Sequence, residues 1–186
     1  IELWPFSQGE IDGTDEGFID AAFDEGPALG HTSSVSRDDY ARRIIRGGFP
    51  EAVARTETAR RERFFDSYVA DLVARDVSQL SEIEQPAQMR ALLTLLAGRS
   101  GQLLVGNALS NHLRVSARTV HRYLALLEEV FLIKRVPAWS RDVSTRAIGT
   151  PKLAFVDSGV AANLLDADVR ILLRPGGPFG PLLECF

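Results

Sequence analysis

Apolar positions recur at helical spacing through most of the chain. Phe64, Phe65, Tyr68, Val69, Leu72 and Val73 fall at i, i+1, i+4, i+5, i+8 and i+9, the broad stripe of an amphipathic helix over about Ala59 to Val77. Upstream, Ser36 stands at an N-cap position with Asp39 three residues on. Tyr40, Ile44 and Ile45 then line one face before Gly47-Gly48 ends the helix. Downstream, Pro86 suits the first turn of a helix whose buried face is Met89, Leu92, Leu93 and Leu96, closed by Gly98.

The pattern tightens after Gln102-Leu103-Leu104. Val105 to Leu113 reads as a short helix, Arg114-Val115 as a turn, and Ser116 as the N-cap of a longer helix to about Val130. Val120, Tyr123, Leu124 and Leu127 take its inner face. A strand, Phe131 to Val136, follows at once, and Lys152 to Val156 can return antiparallel to it. This is a helix-turn-helix with a β-wing, whose loop carries Trp139, Arg141, Asp142 and Arg146. Asp157 closes the second strand and caps a helix from Val160 to Leu165.

Residues 7–35 lack such periodicity. Ser, Gly, Asp and Glu with scattered phenylalanines favour turns and short helical pieces. The expected fold is therefore mainly α. A linker-like arm (1–35) and a helical bundle (36–98) precede a winged helix-turn-helix with a small β-wing (99–157), and an α/β piece starts at 158–186. The chain opens at Ile1 without methionine and stops inside the apolar run Pro181 to Phe186, so we expect both ends to be cuts in a longer protein.

Charge changes this picture only when it is resolved along the chain. The 186 residues are 45% hydrophobic and 25% charged, with a net charge of −4, which argues against wholesale coating of nucleic acid. From Ile1 to Gly30, however, there are acids and no Lys or Arg. Arg99, Arg114, Arg118, Arg122, Lys134, Arg135, Arg141 and Arg146 oppose only Glu128, Glu129 and Asp142 in the winged segment. With the inner face of the long helix apolar, Arg118, Thr119 and Arg122 are left outward near its N-terminus, where a recognition helix meets base edges and phosphates. The candidate DNA-binding set is Arg114, Ser116, Arg118, Thr119 and Arg122 on the helices, with Lys134, Arg135 and Arg141 on the wing. Arg can fork to guanine or phosphate, and a basic wing adds backbone contacts. The same face also suits a protein-interaction lid, and winged helices serve both uses.

Other chemistry is thin. One cysteine, Cys185, cannot form an internal disulfide and suits a reducing compartment; with no leader and no apolar run of membrane length, a soluble cytoplasmic protein is expected. His31, His112 and His121 lack zinc spacing, so no metal site is expected. Cys185, in an apolar run, reads as a small hydrophobe. Gly47-Gly48-Phe49-Pro50-Glu51 reads as helix punctuation, Asp157-Ser158-Gly159 as an N-cap rather than a serine nucleophile, and Arg60, Arg61, Arg63 and Arg75 as a solvated or salt-bridged face.

The order of several motifs resembles the C-terminal region of a bacterial and archaeal family of AAA-type ATP-binding proteins, a conserved domain of unknown function. They are Leu3-Trp4-Pro5-Phe6-Ser7, Gly47 to Glu51, Tyr68 to Asp76, Tyr123 to Glu128, Pro151-Lys152, Asp157-Ser158-Gly159 and Leu182-Leu183-Glu184. The resemblance spans nearly the whole chain. It implies a preceding ATPase domain as partner, with ATP and Mg bound there. This chain has no Gly-x-x-x-x-Gly-Lys-Ser/Thr run, so it is expected to bind no cofactor and not to be an enzyme itself. The resemblance also allows a third reading, the front half of a restriction-endonuclease-like nuclease, with Glu184 at an early acidic position.

Overall fold

The computed structural model describes residues 4–26, 34–77, 86–142 and 149–186. Leu3, His31 and Arg146, and the side chain of Arg75, lie outside the described residues.

The arm contains two short helices, α1 (Gln8–Asp12) and α2 (Phe18–Glu25). Ser7 and Glu10 form a capping box on α1. The arm is docked where it begins: the Phe6 N–H donates to the Gly48 carbonyl (2.8 Å), Arg46 Nη2 to Gln8 Oε1 (2.8 Å), and Arg43 pairs with Asp12 (2.8 Å). In α3 (Arg37–Arg46), Ser36 and Asp39 form the expected capping box. The Ser36 bonds to its carboxyl hold Asp39 below the usual carboxylate range.

The expected long helix divides in two. α5 (Thr58–Asp71) runs as an α-helix and then widens into a π-helical stretch, Leu72–Val77. Its stripe behaves as the spacing predicts, with Phe65, Val69, Leu72 and Val73 buried. A short α4 (Pro50–Val53) opens with Pro at its first position. Arg61 is tied to the backbone carbonyls of Ala52 (3.3 Å) and Arg55 (2.7 Å), and Arg60 pairs with Glu57 (2.9 Å).

After α6 (Pro86–Ala97), the chain enters α7 (Gly106–Leu113) and α8 (Ala117–Glu129), then β1 (Ile133–Val136) and β2 (Lys152–Phe155). The strands pair antiparallel, Ile133 with Phe155 and Val136 with Lys152. The first strand starts later than its apolar pattern predicts, because Phe131 takes a left-handed turn (φ 56°). Residues 101–104 add a partial third strand on the other edge: Gly101 N–H donates to Leu153 O, Leu153 N–H to Gln102 O, and Leu104 N–H to Pro151 O. Helix α6 packs on α7, so the winged module takes its first helix from the bundle.

Residues from 158 on, expected to open an α/β piece, are helical: α9 (Ser158–Leu164), α10 (Val169–Leu173) and α11 (Phe179–Leu183). All three pack on α3, and α9 also on α5 and α6. One apolar cluster runs from Ala41 through Leu96, Leu124 and Phe155 to Leu182. The fold is mainly helical with a small antiparallel sheet. Among the described residues, no helix is long and apolar enough to cross a membrane.

Candidate nucleic-acid interface

The local sequence around residue 114 explains the geometry of the helix-turn-helix. Helix α7 ends where Arg114 adopts a left-handed conformation (φ 54°) and its N–H donates to Ser110 O. Ser116 then caps α8, its hydroxyl accepting the Thr119 N–H (3.0 Å) and lying 2.8 Å from Thr119 Oγ1. Ser116 and Thr119, two of the expected contact residues, thus shape the turn. Such a cap contributes about 1 kcal/mol.

Val120, Tyr123, Leu124, Leu126 and Leu127 bury the inner side of α8. What remains exposed is one stripe: Ala117, Arg118, His121, Arg122, Ala125 and Glu129, with Arg114 at its lower end. Arg122 lies partly along the Tyr123 ring, its guanidinium carbon 5.6 Å from the centroid. His121 belongs to this stripe as well, outside the expected contact set. Its i+3 spacing from Arg118 is the signal that places it there.

The wing residues divide. Arg141 is exposed. Arg135 is not free: its backbone N–H (2.9 Å) and Nε (2.7 Å) both donate to the Glu128 carboxylate. Burial pushes Glu128 up, but these Arg135 bonds outweigh it and hold the carboxyl below its usual range. Arg135 thus links the last turn of α8 to β1. Lys134 faces the other side of the sheet, with Nζ 5.2 Å from the Trp4 ring. The arm and the wing thus meet there.

A second constellation ties two motifs separated by more than a hundred residues. Asp157 is buried, and its carboxylate accepts N–H bonds from Gly48 (2.7 Å), Phe49 (3.2 Å) and Val160 (2.9 Å). Gly159 N–H adds to these. The same side chain caps α9 and holds the start of α4, while Ser158 Oγ donates to Ile44 O (3.0 Å). Burial pushes Asp157 above its usual range, and the backbone donors pull it partly back. Glycine is required beside it. A Cβ on Gly47 (φ 68°) would stand 2.5 Å from Asp157 Oδ1, and one on Gly159 would stand 2.6 Å from Phe65 Cζ. Both motifs serve this junction, and Gly48, Asp157 and Ser158 also line a cavity shared with Ser7, Glu16 and Cys185.

Cys185 is half-buried and accepts a hydrogen bond from Ser100 Oγ (3.2 Å). Burial pushes its thiol up, which suits an unreactive side chain. Glu184 follows the last turn of α11 and pairs with Lys152.

A family model described as Domain of unknown function (DUF8612) matches residues 37–170, from the start of α3 into α10. Two curated mycobacterial proteins are each 30% identical over 142 residues: Uncharacterized protein Mb2031c of Mycobacterium bovis and Uncharacterized protein Rv2008c of Mycobacterium tuberculosis. The matched stretch takes in 76% of this chain and 32% of each relative, so the chain spans about a third of the length of the curated relatives it matches. No solved structure matches.

Proposed function

The chain belongs to the family of the domain of unknown function DUF8612, and from that premise we propose that its winged-helix module contacts double-stranded DNA. On this reading, the chain is the C-terminal region of an AAA-type ATP-binding protein, whose ATPase the module regulates. The observation that carries DNA contact is the composition of the outward stripe of α8. Arg114, Arg118, His121 and Arg122 share it, its apolar members are the small Ala117 and Ala125, and the acid Glu129 stands at its far end. The major groove is about 12 Å wide and admits one helix, and arginine keeps its charge at every physiological pH. The contact set is Arg114, Arg118, Arg122 and Arg141. Ser116 and Thr119 position the helix, and Lys134 and Arg135 serve the fold.

The test is fluorescence anisotropy of the chain with a random duplex across a salt series, for the native protein and Arg118→Ala/Arg122→Ala. The reading expects affinity that falls with salt and a salt slope about two units shallower in the double variant. A folded protein that leaves the duplex free at low salt would refute it.

The lid reading, which uses the same α8 face, has a second surface to draw on. Leu103, Lys152 and Val136 stand opposite one another across three strands on the outer face of the sheet, with Leu103 57% and Val136 47% exposed. The two uses are compatible, because this face points away from the core and carries Lys134 beneath Trp4. The nuclease reading gains no support, since Glu184 ends a helix and is held by Lys152.

A further inference from the structure

Trp139 is 82% exposed on the wing, three residues beyond Val136 at the end of β1. The ring lies outside the apolar core, and among the described residues no aromatic or cationic side chain stands against it. A soluble fold keeps few such side chains without a use for them. Arg141, also exposed, follows two positions later, and the Ser140 hydroxyl accepts the Asp142 N–H (3.2 Å), folding this part of the loop.

The wing's path brings this ring toward the basic stripe. At Phe131 the chain reverses, Leu132 N–H donates to Leu127 O, and Glu128 grips Arg135, so β1 runs back beside α8. From Arg135, four residues at full extension reach about 13 Å to Trp139. The same length along a helix is about nine residues, which leads from Glu128 back to the first turns of α8. A wing that continues along this line reaches the level of Arg118 and Arg122.

An indole face stacks on any base that is out of its own stack. Within a closed duplex, base faces are already covered, and inserting a ring must first unstack a step. We infer that the module prefers duplex DNA flanked by unpaired nucleotides: the α8 stripe holds the paired part while Trp139 stacks on the first unpaired base and Arg141 meets the adjoining phosphate. This inference rests on the duplex contact proposed above and names the substrate class of that same surface.

The experiment compares anisotropy of the full chain with three probes at one salt concentration: a blunt duplex, the same duplex with a single-stranded tail, and the tail alone. The tailed duplex is expected to bind about tenfold tighter than the blunt one. Trp139→Ala should remove that preference and leave blunt-duplex affinity unchanged, whereas Trp139→Phe should keep most of it. In a Trp4→Phe background, which leaves Trp139 as the only tryptophan, the tailed probe should quench the fluorescence. Equal affinity of the native protein for blunt and tailed duplexes would overturn this inference and leave duplex contact standing. So would a preference that survives Trp139→Ala, or a tail alone bound as tightly as the tailed duplex. No binding to any probe would overturn both readings.

Discussion

Replacing Asp157 with alanine tests the junction that joins the two glycine-bearing motifs. The substitution strips the carboxylate from four backbone N–H groups, those of Gly48, Phe49, Gly159 and Val160. An unsatisfied buried donor costs about 1–3 kcal/mol, and loss of an N-cap about 1 kcal/mol. The four are not additive, because the released loop can relax. Removing a carboxylate whose burial opposes its charge also returns part of the loss. The net destabilisation is about 2–4 kcal/mol, a large share of the 5–15 kcal/mol of an ordinary domain. Asp157→Asn keeps one acceptor oxygen but turns an NH2 toward the remaining donors, so it should cost about 1–3 kcal/mol. Equilibrium urea unfolding measures both. With a slope of about 2 kcal/mol/M, the alanine variant should lower the midpoint by about 1–2 M. A midpoint within about 0.2 M of the native one would show that these bonds do not hold the fold, and the account of both motifs would fail with it.

Other consequences are equally direct. Gly159→Ala should destabilise by about 2 kcal/mol or more, read by thermal unfolding, because the added Cβ meets Phe65 and the Asp157 carboxylate. Ser116→Ala should cost about 1 kcal/mol of stability by removing the α8 cap, whereas Arg118→Ala, an exposed change, should stay within about 0.5 kcal/mol while weakening DNA binding. The Glu128–Arg135 link sets a pH dependence. Glu128 is held below its unperturbed value of 4.5, so its contribution is complete above that value and lost as pH falls through the lowered one. The pair is partly exposed and screened, so Glu128→Gln should cost about 0.5–1 kcal/mol at pH 7, and the difference from the native protein should shrink below pH 4.5. A difference that is constant with pH in urea titrations would argue against the pairing.

What could be read from the sequence is what local spacing encodes. The stripe from Phe64 to Val73, the caps at Ser36 and Ser116, and the two strands of the wing all follow from periodicity and capping chemistry, and the structure places them there. The losses are long-range. Nothing near Asp157 announces that its carboxylate also serves Gly48 and Phe49, because that partnership depends on how α9 packs on α3. Arg135 was indistinguishable from its basic neighbours until the turn at Phe131 brought it onto Glu128. The helix after Asp157 is legible from its cap, whereas α10 and α11 are not: Phe179, Leu182 and Leu172 are buried against elements far away in sequence, and their short runs carry little periodicity of their own.

The central claim is that the outward stripe of α8 meets DNA, and backbone amide chemical-shift mapping of the labelled chain during titration with a short duplex tests it most directly. The account predicts shifts concentrated at residues 114–122 and around Arg141, with the arm and the 47–49 and 157–160 junction unmoved. Shifts absent at saturating duplex, or confined to the outer sheet face around Leu103 and Val136, would contradict it and hand the module to a protein partner.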